Sequence, residues 1–112
     1  MKKIFKEFSE INGEYVEEIP GQARFAYGIS DMDDFFEIED IIKYDGFYKG
    51  SIIRFYDYQT GEVYLPFEQK ENIAYGRPIY IGDIFYILQV DFNEGLANIY
   101  KYYPGERLEK NF

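Results

Sequence analysis

Asp31, Asp33, Asp34, Glu37, Glu39 and Asp40 place six carboxylates within ten residues, with no lysine or arginine among them. Such a run can hold a hard cation, supply an acid and a base to a substrate, or present a negative surface to a partner. Calcium takes about six to eight oxygen ligands, and the spacing of Asp31 and Asp33 is that which opens an EF-hand loop. The rest of that loop is missing: Met32, Phe35 and Phe36 interrupt the ligand pattern, and no central glycine or closing glutamate follows. No metal site is expected. Paired carboxylates also serve glycoside hydrolysis, but sequence spacing does not fix the distance between them on which that chemistry depends. Beyond a plainly solvated run of charge, the functional reading of these six residues is a docking surface for a basic partner.

Other chemistry is poorly provided for. The chain has no cysteine and no histidine, which removes thiolate nucleophiles, Cys/His zinc sites, disulfides and imidazole acid–base catalysis. Its serines, Ser9, Ser30 and Ser51, therefore have no histidine to activate them. Neither a G-x-S-x-G elbow nor a phosphate-binding glycine loop occurs. The expectation is a protein that is not an enzyme and carries no cofactor. A net charge of −9 repels phosphate backbones and anionic headgroups, so neither nucleic acid nor membrane is an expected partner. No apolar run approaches the ~20 residues of a membrane-spanning helix. Lys6, Glu7 and Glu10 interrupt the apolar stretch that a leader beginning Met1-Lys2-Lys3 would need. With the lack of cysteine, this points to the cytoplasm.

The elements that would position these residues are mostly strands. Tyr (13) and Phe (11) are interleaved with Ile and Val, a composition suited to a half-buried pleated surface. Residues 51–67 read as a β-hairpin around Gln59-Thr60-Gly61, and 83–103 as another around Asn93-Glu94-Gly95, each glycine supplying a positive φ. Asp57 and Asp91 precede these turns, where an aspartate accepts hydrogen bonds from turn amides. The two segments match: Tyr48-Lys49-Gly50-Ser51-Ile52 with Tyr80-Ile81-Gly82-Asp83-Ile84, and Asp57 to Gly61 with Asp91 to Gly95. A weaker third copy runs from Gly21 through Phe25 to a turn at 30–34. A glycine, an aliphatic-aromatic strand, an Asp-aromatic-x-x-Gly turn and a second strand resemble the repeated hairpins of kelch-type β-propellers. The paired glycines and tryptophan of kelch blades are absent, and a chain of 112 residues is too short for the four or so blades that closure requires.

The sequence thus predicts one mainly β domain over 1–112, an antiparallel meander, roll or small barrel of two or three similar hairpins. A short helix is expected over 2–11, where Ile4, Phe5, Phe8 and Ile11 share a helical face before Asn12-Gly13. Residues 30–44 carry mixed signals. Ser30 and Asp33 suggest a cap and Asp45-Gly46 a helix end, whereas Phe36-Glu37-Ile38-Glu39 alternates as a strand does, and a strand is the reading taken. A core of this size cannot hold every aromatic ring, so some tyrosines belong to the surface. The 44–48 region and Tyr102-Tyr103-Pro104-Gly105 are the candidates. The functional expectation is a non-catalytic protein-interaction module, an inhibitor or immunity-type protein for a basic partner. The alternative is a tyrosine-lined ligand- or glycan-binding β-domain.

Overall fold

A computed structural model of the chain describes residues 10–11, 14–30 and 34–111. The helix expected over 2–11 lies outside the described residues except for its end. There Glu10–Ile11 form β1, paired antiparallel with β2 (Glu14–Tyr15).

The fold is mainly β, with two larger antiparallel sheets. The first runs in the order β3 (Glu17–Glu18), β4 (Phe25–Ile29), β5 (Ile53–Asp57), β6 (Val63–Tyr64). In the second, β9 (Ile84–Asp91) lies between β10 (Leu96–Tyr103), itself flanked by β11 (Arg107–Asn111), and an edge shared by β7 (Ile73–Tyr75) and β8 (Ile79–Ile81). Pro78 lies in the gap between β7 and β8, where a residue without an N–H cannot join the ladder. Gly82 and Asp83, both at positive φ (57° and 67°), turn β8 into β9 as a two-residue loop. Among the described residues no sheet closes into a barrel.

The sheets pack face to face. Alternation along β9 sends Phe85 and Ile87 inward, where with Tyr75 and Tyr102 they meet Tyr27, Ile53 and Phe55 of the first sheet. The Phe55 ring stands edge-on to Phe85 (5.4 Å) and to Tyr102 (4.9 Å), an arrangement aromatic quadrupoles favour.

Both predicted hairpins are present. Gly61 and Gly95 take positive φ (79° and 69°), and each donates its N–H to the carbonyl of the aspartate that begins the turn. Asp57 Oδ1 accepts from the amides of Gln59 (2.9 Å) and Thr60 (3.4 Å); Asp91 Oδ1 accepts likewise from Asn93 (2.8 Å) and Glu94 (3.2 Å). The equivalence extends to strands that the sequence comparison aligned differently. Ala26 faces Tyr56, which faces Val63; Ala74 faces Val90, which faces Ala97. The Tyr58 amide donates to the Arg24 carbonyl as the Phe92 amide does to that of Asn72. The repeating unit therefore begins at Ala26-Tyr27-Gly28 and again at Ala74-Tyr75-Gly76. Gly50 and Gly82 are not counterparts: Gly82 sits in a hairpin turn, whereas Gly50 precedes β5, so close to Lys70 that a Cβ would overlap its carbonyl oxygen. The third copy is likewise no hairpin, because β4 is the first strand of the first unit.

Residues 35–45 correct the strand reading. Phe35–Asp45 form helix α1, its apolar residues Phe35, Ile38, Ile41 and Ile42 recurring at helical spacing. The cap is Asp34, not Ser30: Asp34 Oδ1 accepts from the Glu37 amide (2.8 Å) while Glu37 Oε1 accepts from the Asp34 amide (3.0 Å), a reciprocal capping box. Gly46 ends the helix at φ 92°. The Ser30 hydroxyl accepts instead from the Ile52 amide (2.8 Å), closing the excursion between β4 and β5. The apolar face of α1 packs on the outer side of the second sheet, with Ile38 against Tyr48 and Ala74.

Candidate interaction surface

Because α1 buries Ile38 and partly buries Phe35, Ile41 and Ile42, its opposite side must face solvent. That side carries Phe36, 81% exposed, and Tyr44, 78% exposed, spaced by two turns with Asp40 between them. Phe47, just beyond the helix, is also exposed. The helix also carries Glu37, Glu39, Asp40 and Asp45 against one base, Lys43, whose ammonium lies 5.9 Å from the Tyr44 ring centre.

The six carboxylates singled out in the sequence thus have different fates. Asp31 and Asp33 lie outside the described residues. Asp34 and Glu37 hold each other's backbone and begin the helix, so a structural task falls on residues read as binding groups. Glu39 and Asp40 are exposed on the helix and, among the described residues, make no structural bond of this kind. Among the described residues no group of three or more carboxylates is placed to hold a metal ion.

Beside the helix the outer face of the second sheet is apolar along β8 and β9, while Lys101, Glu109 and Arg107 occupy its far side. Ile79 pairs with Tyr86, Ile81 with Ile84 and Leu88 with Ile99, all on the side opposite buried Phe85 and Ile87. All but Ile84 border an open groove of about 250 Å³ that also touches Arg77 and Asn111. Arg77 is partly neutralised by Glu17, 3.8 Å away. Leu88 links groove and helix: a Cβ on Gly76 would lie 3.4 Å from Leu88 and 3.8 Å from the Phe35 ring. Sequence reasoning missed this face. The near-continuous run Ile84-Phe85-Tyr86-Ile87-Leu88 was its signal, since a strand of a two-layer domain with a solvated outer face alternates more sharply.

The tyrosines divide as well. Tyr48 and Tyr102 belong to the core, and burial pushes the Tyr102 hydroxyl up to about 12. Tyr44 is open, and Tyr103 is half-buried beneath the Arg107 guanidinium, 3.9 Å from its ring centre.

The second charged feature is buried. Asp57, with no exposed surface, receives Arg24 Nε (3.1 Å) and Nη2 (2.9 Å) in a bidentate pair, leaving the other end of the guanidinium toward solvent. Burial pushes the Asp57 carboxyl up, but the Arg24 hydrogen bonds and those from Gln59 and Thr60 outweigh it and hold the group below its ordinary value.

No protein-family model, curated protein or solved structure matches the chain. Among the described residues no helix is long and apolar enough to cross a membrane.

Proposed function

We propose that the chain is a non-catalytic interaction module of the inhibitor or immunity type, which captures a basic protein in the cytoplasm through α1 and the apolar groove beside it. The observation that carries this reading is the pair Phe36 and Tyr44, held open to water on a helix that has an apolar side already buried. Exposed aromatics beside an apolar patch are what the centre of an interface is built from. The carboxylates on the same helix select the sign of the partner. They favour lysine- or arginine-rich surfaces, and the overall charge of −9 steers such a surface inward while repelling nucleic acid.

The test begins with capture at low salt and continues with kinetics on the captured protein. Phe36→Ala with Tyr44→Ala should weaken binding by about tenfold or more, chiefly through faster dissociation. Glu39→Gln with Asp40→Asn should instead slow association and flatten its dependence on ionic strength. A photo-reactive side chain at position 44 should crosslink to the partner, and one at Leu65, exposed just beyond β6, should not. Unchanged kinetics in both double variants would overturn the proposal.

A further inference from the structure

A second concavity opens between the two sheets, away from α1, with a volume of about 340 Å³. Its walls combine rings with charges. Phe25, Tyr80 and the face of Tyr103 not covered by Arg107 supply partly exposed aromatic surface, while Arg24, Asp83 and Glu106 supply polar groups. Gly21 brings the loop before β4 against the Tyr80 ring, where a Cβ would stand only 3.3 Å from Cδ2.

Arg24 is pre-positioned, and the polar groups are only partly used. Arg24 is fixed by its two bonds to buried Asp57 and lies 4.9 Å from the Phe25 ring centre, yet its side chain is 46% exposed. Among the described residues its Nη1 has no partner, so donors remain for something in the cleft. Asp83 accepts from the Tyr80 hydroxyl through Oδ1 (3.1 Å), leaving Oδ2 available. Among the described residues Glu106 pairs with Arg107 alone, at 3.7 Å, and Arg107 is engaged more closely by Glu109 at 2.6 Å.

These charges select the ligand class. An anion that approached Arg24 would meet Asp83 and Glu106, and the arginine's charge is already balanced by Asp57. A cation drawn to the carboxylates would meet the guanidinium. An apolar ligand would leave desolvated donors and acceptors unpaired. We propose that this cleft binds a neutral saccharide. Its hydroxyls accept from Arg24 and donate to Asp83 and Glu106, and its C–H faces lie on the aromatic rings. The volume is at the lower end of the range for small-molecule sites, about 300–1,000 Å³, which suits a mono- or disaccharide. The cleft is independent of the α1 surface, so either proposal can fail without the other.

The test is an amide and arginine-side-chain NMR titration of the full chain. The probes are glucose, galactose, mannose, N-acetylglucosamine, cellobiose, maltose, lactose and chitobiose, with sodium acetate and methylammonium chloride as charged controls. At least one saccharide should give saturable shifts centred on Arg24, Tyr80, Asp83, Tyr103 and Glu106. Asp83→Asn and Glu106→Gln, both on exposed side chains and expected to keep the melting temperature, should each weaken it by about tenfold. The proposal is overturned if no saccharide saturates, if either charged control alone shifts these residues, or if the variants bind as the parent does.

Discussion

Asp57 and Asp91 start two copies of the same turn, yet they should not be equally costly to remove. Both accept turn amides, but only Asp57 is fully buried and holds an arginine. Asp91→Ala should cost about 1 kcal/mol, and Asp57→Ala about 3 kcal/mol, because it also empties a fully buried position and removes the acceptor that holds Arg24. Chemical denaturation of the two variants checks the ratio. Since the folded Asp57 carboxyl lies below its unfolded value of ~3.9, its contribution is present above that pH and lost as pH falls through the folded value. Asp57→Asn should therefore lower stability at neutral pH and flatten its further loss in acid. The turn role of Asp57 was legible because Asp-aromatic-x-x-Gly is a local signal. Its arginine was not. Arg24 reaches it only because β4 and β5 pair with Phe25 opposite Asp57, a register set across an intervening helix.

Local signals conflicted at α1, and the element shows which prevails. Two helical turns of apolar spacing, with a capping box at one end and a glycine at the other, outweigh a four-residue alternation that a helix also contains. The cap was legible in kind but assigned to Ser30, because Asp34 with Glu37 lay inside a run read only as charge. Asp34→Ala should consequently cost about 1 kcal/mol and lower helical signal, whereas Glu39→Gln and Asp40→Asn should change stability by less than about 0.5 kcal/mol. Neutralising all the carboxylates together would thus confuse folding with binding. Glycines separate in the same way. At Gly61 and Gly95 an added Cβ meets open space, so alanine should cost only the left-handed conformation, about 1–2 kcal/mol. Gly50→Ala should cost more than twice that, because Lys70 backbone must also move. Thermal melts of the three alanine variants rank them directly.

Across the whole molecule the two repeat units meet through equivalent faces. Tyr27 and Tyr75 hold matching positions and lie in one core, as do Ile53 and Ile87. Propeller blades stack the front of one on the back of the next, whereas these two sheets meet through like faces, as in a sandwich. The sequence concealed the full unit because different insertions separate its strands, α1 in the first and β8 in the second. Only the hairpin of the second and third strands kept a constant spacing. If like faces form a single core, neither sheet can lose the contact and stay folded. Phe55 lies fully buried at its centre, touching Phe85 and Tyr102 from the other sheet. Phe55→Ala should cost about 3–5 kcal/mol, a large share of the ~5–15 kcal/mol typical of a domain. Hydrogen exchange then discriminates: amide protection in β5 and in β9–β10 should fall by the same factor, since both exchange through one global opening. Ile99→Ser, on the outer face, should leave both protections nearly unchanged. Loss of protection in β5 alone would mean that the second sheet stands without the first, and that the shared core is not what holds this molecule together.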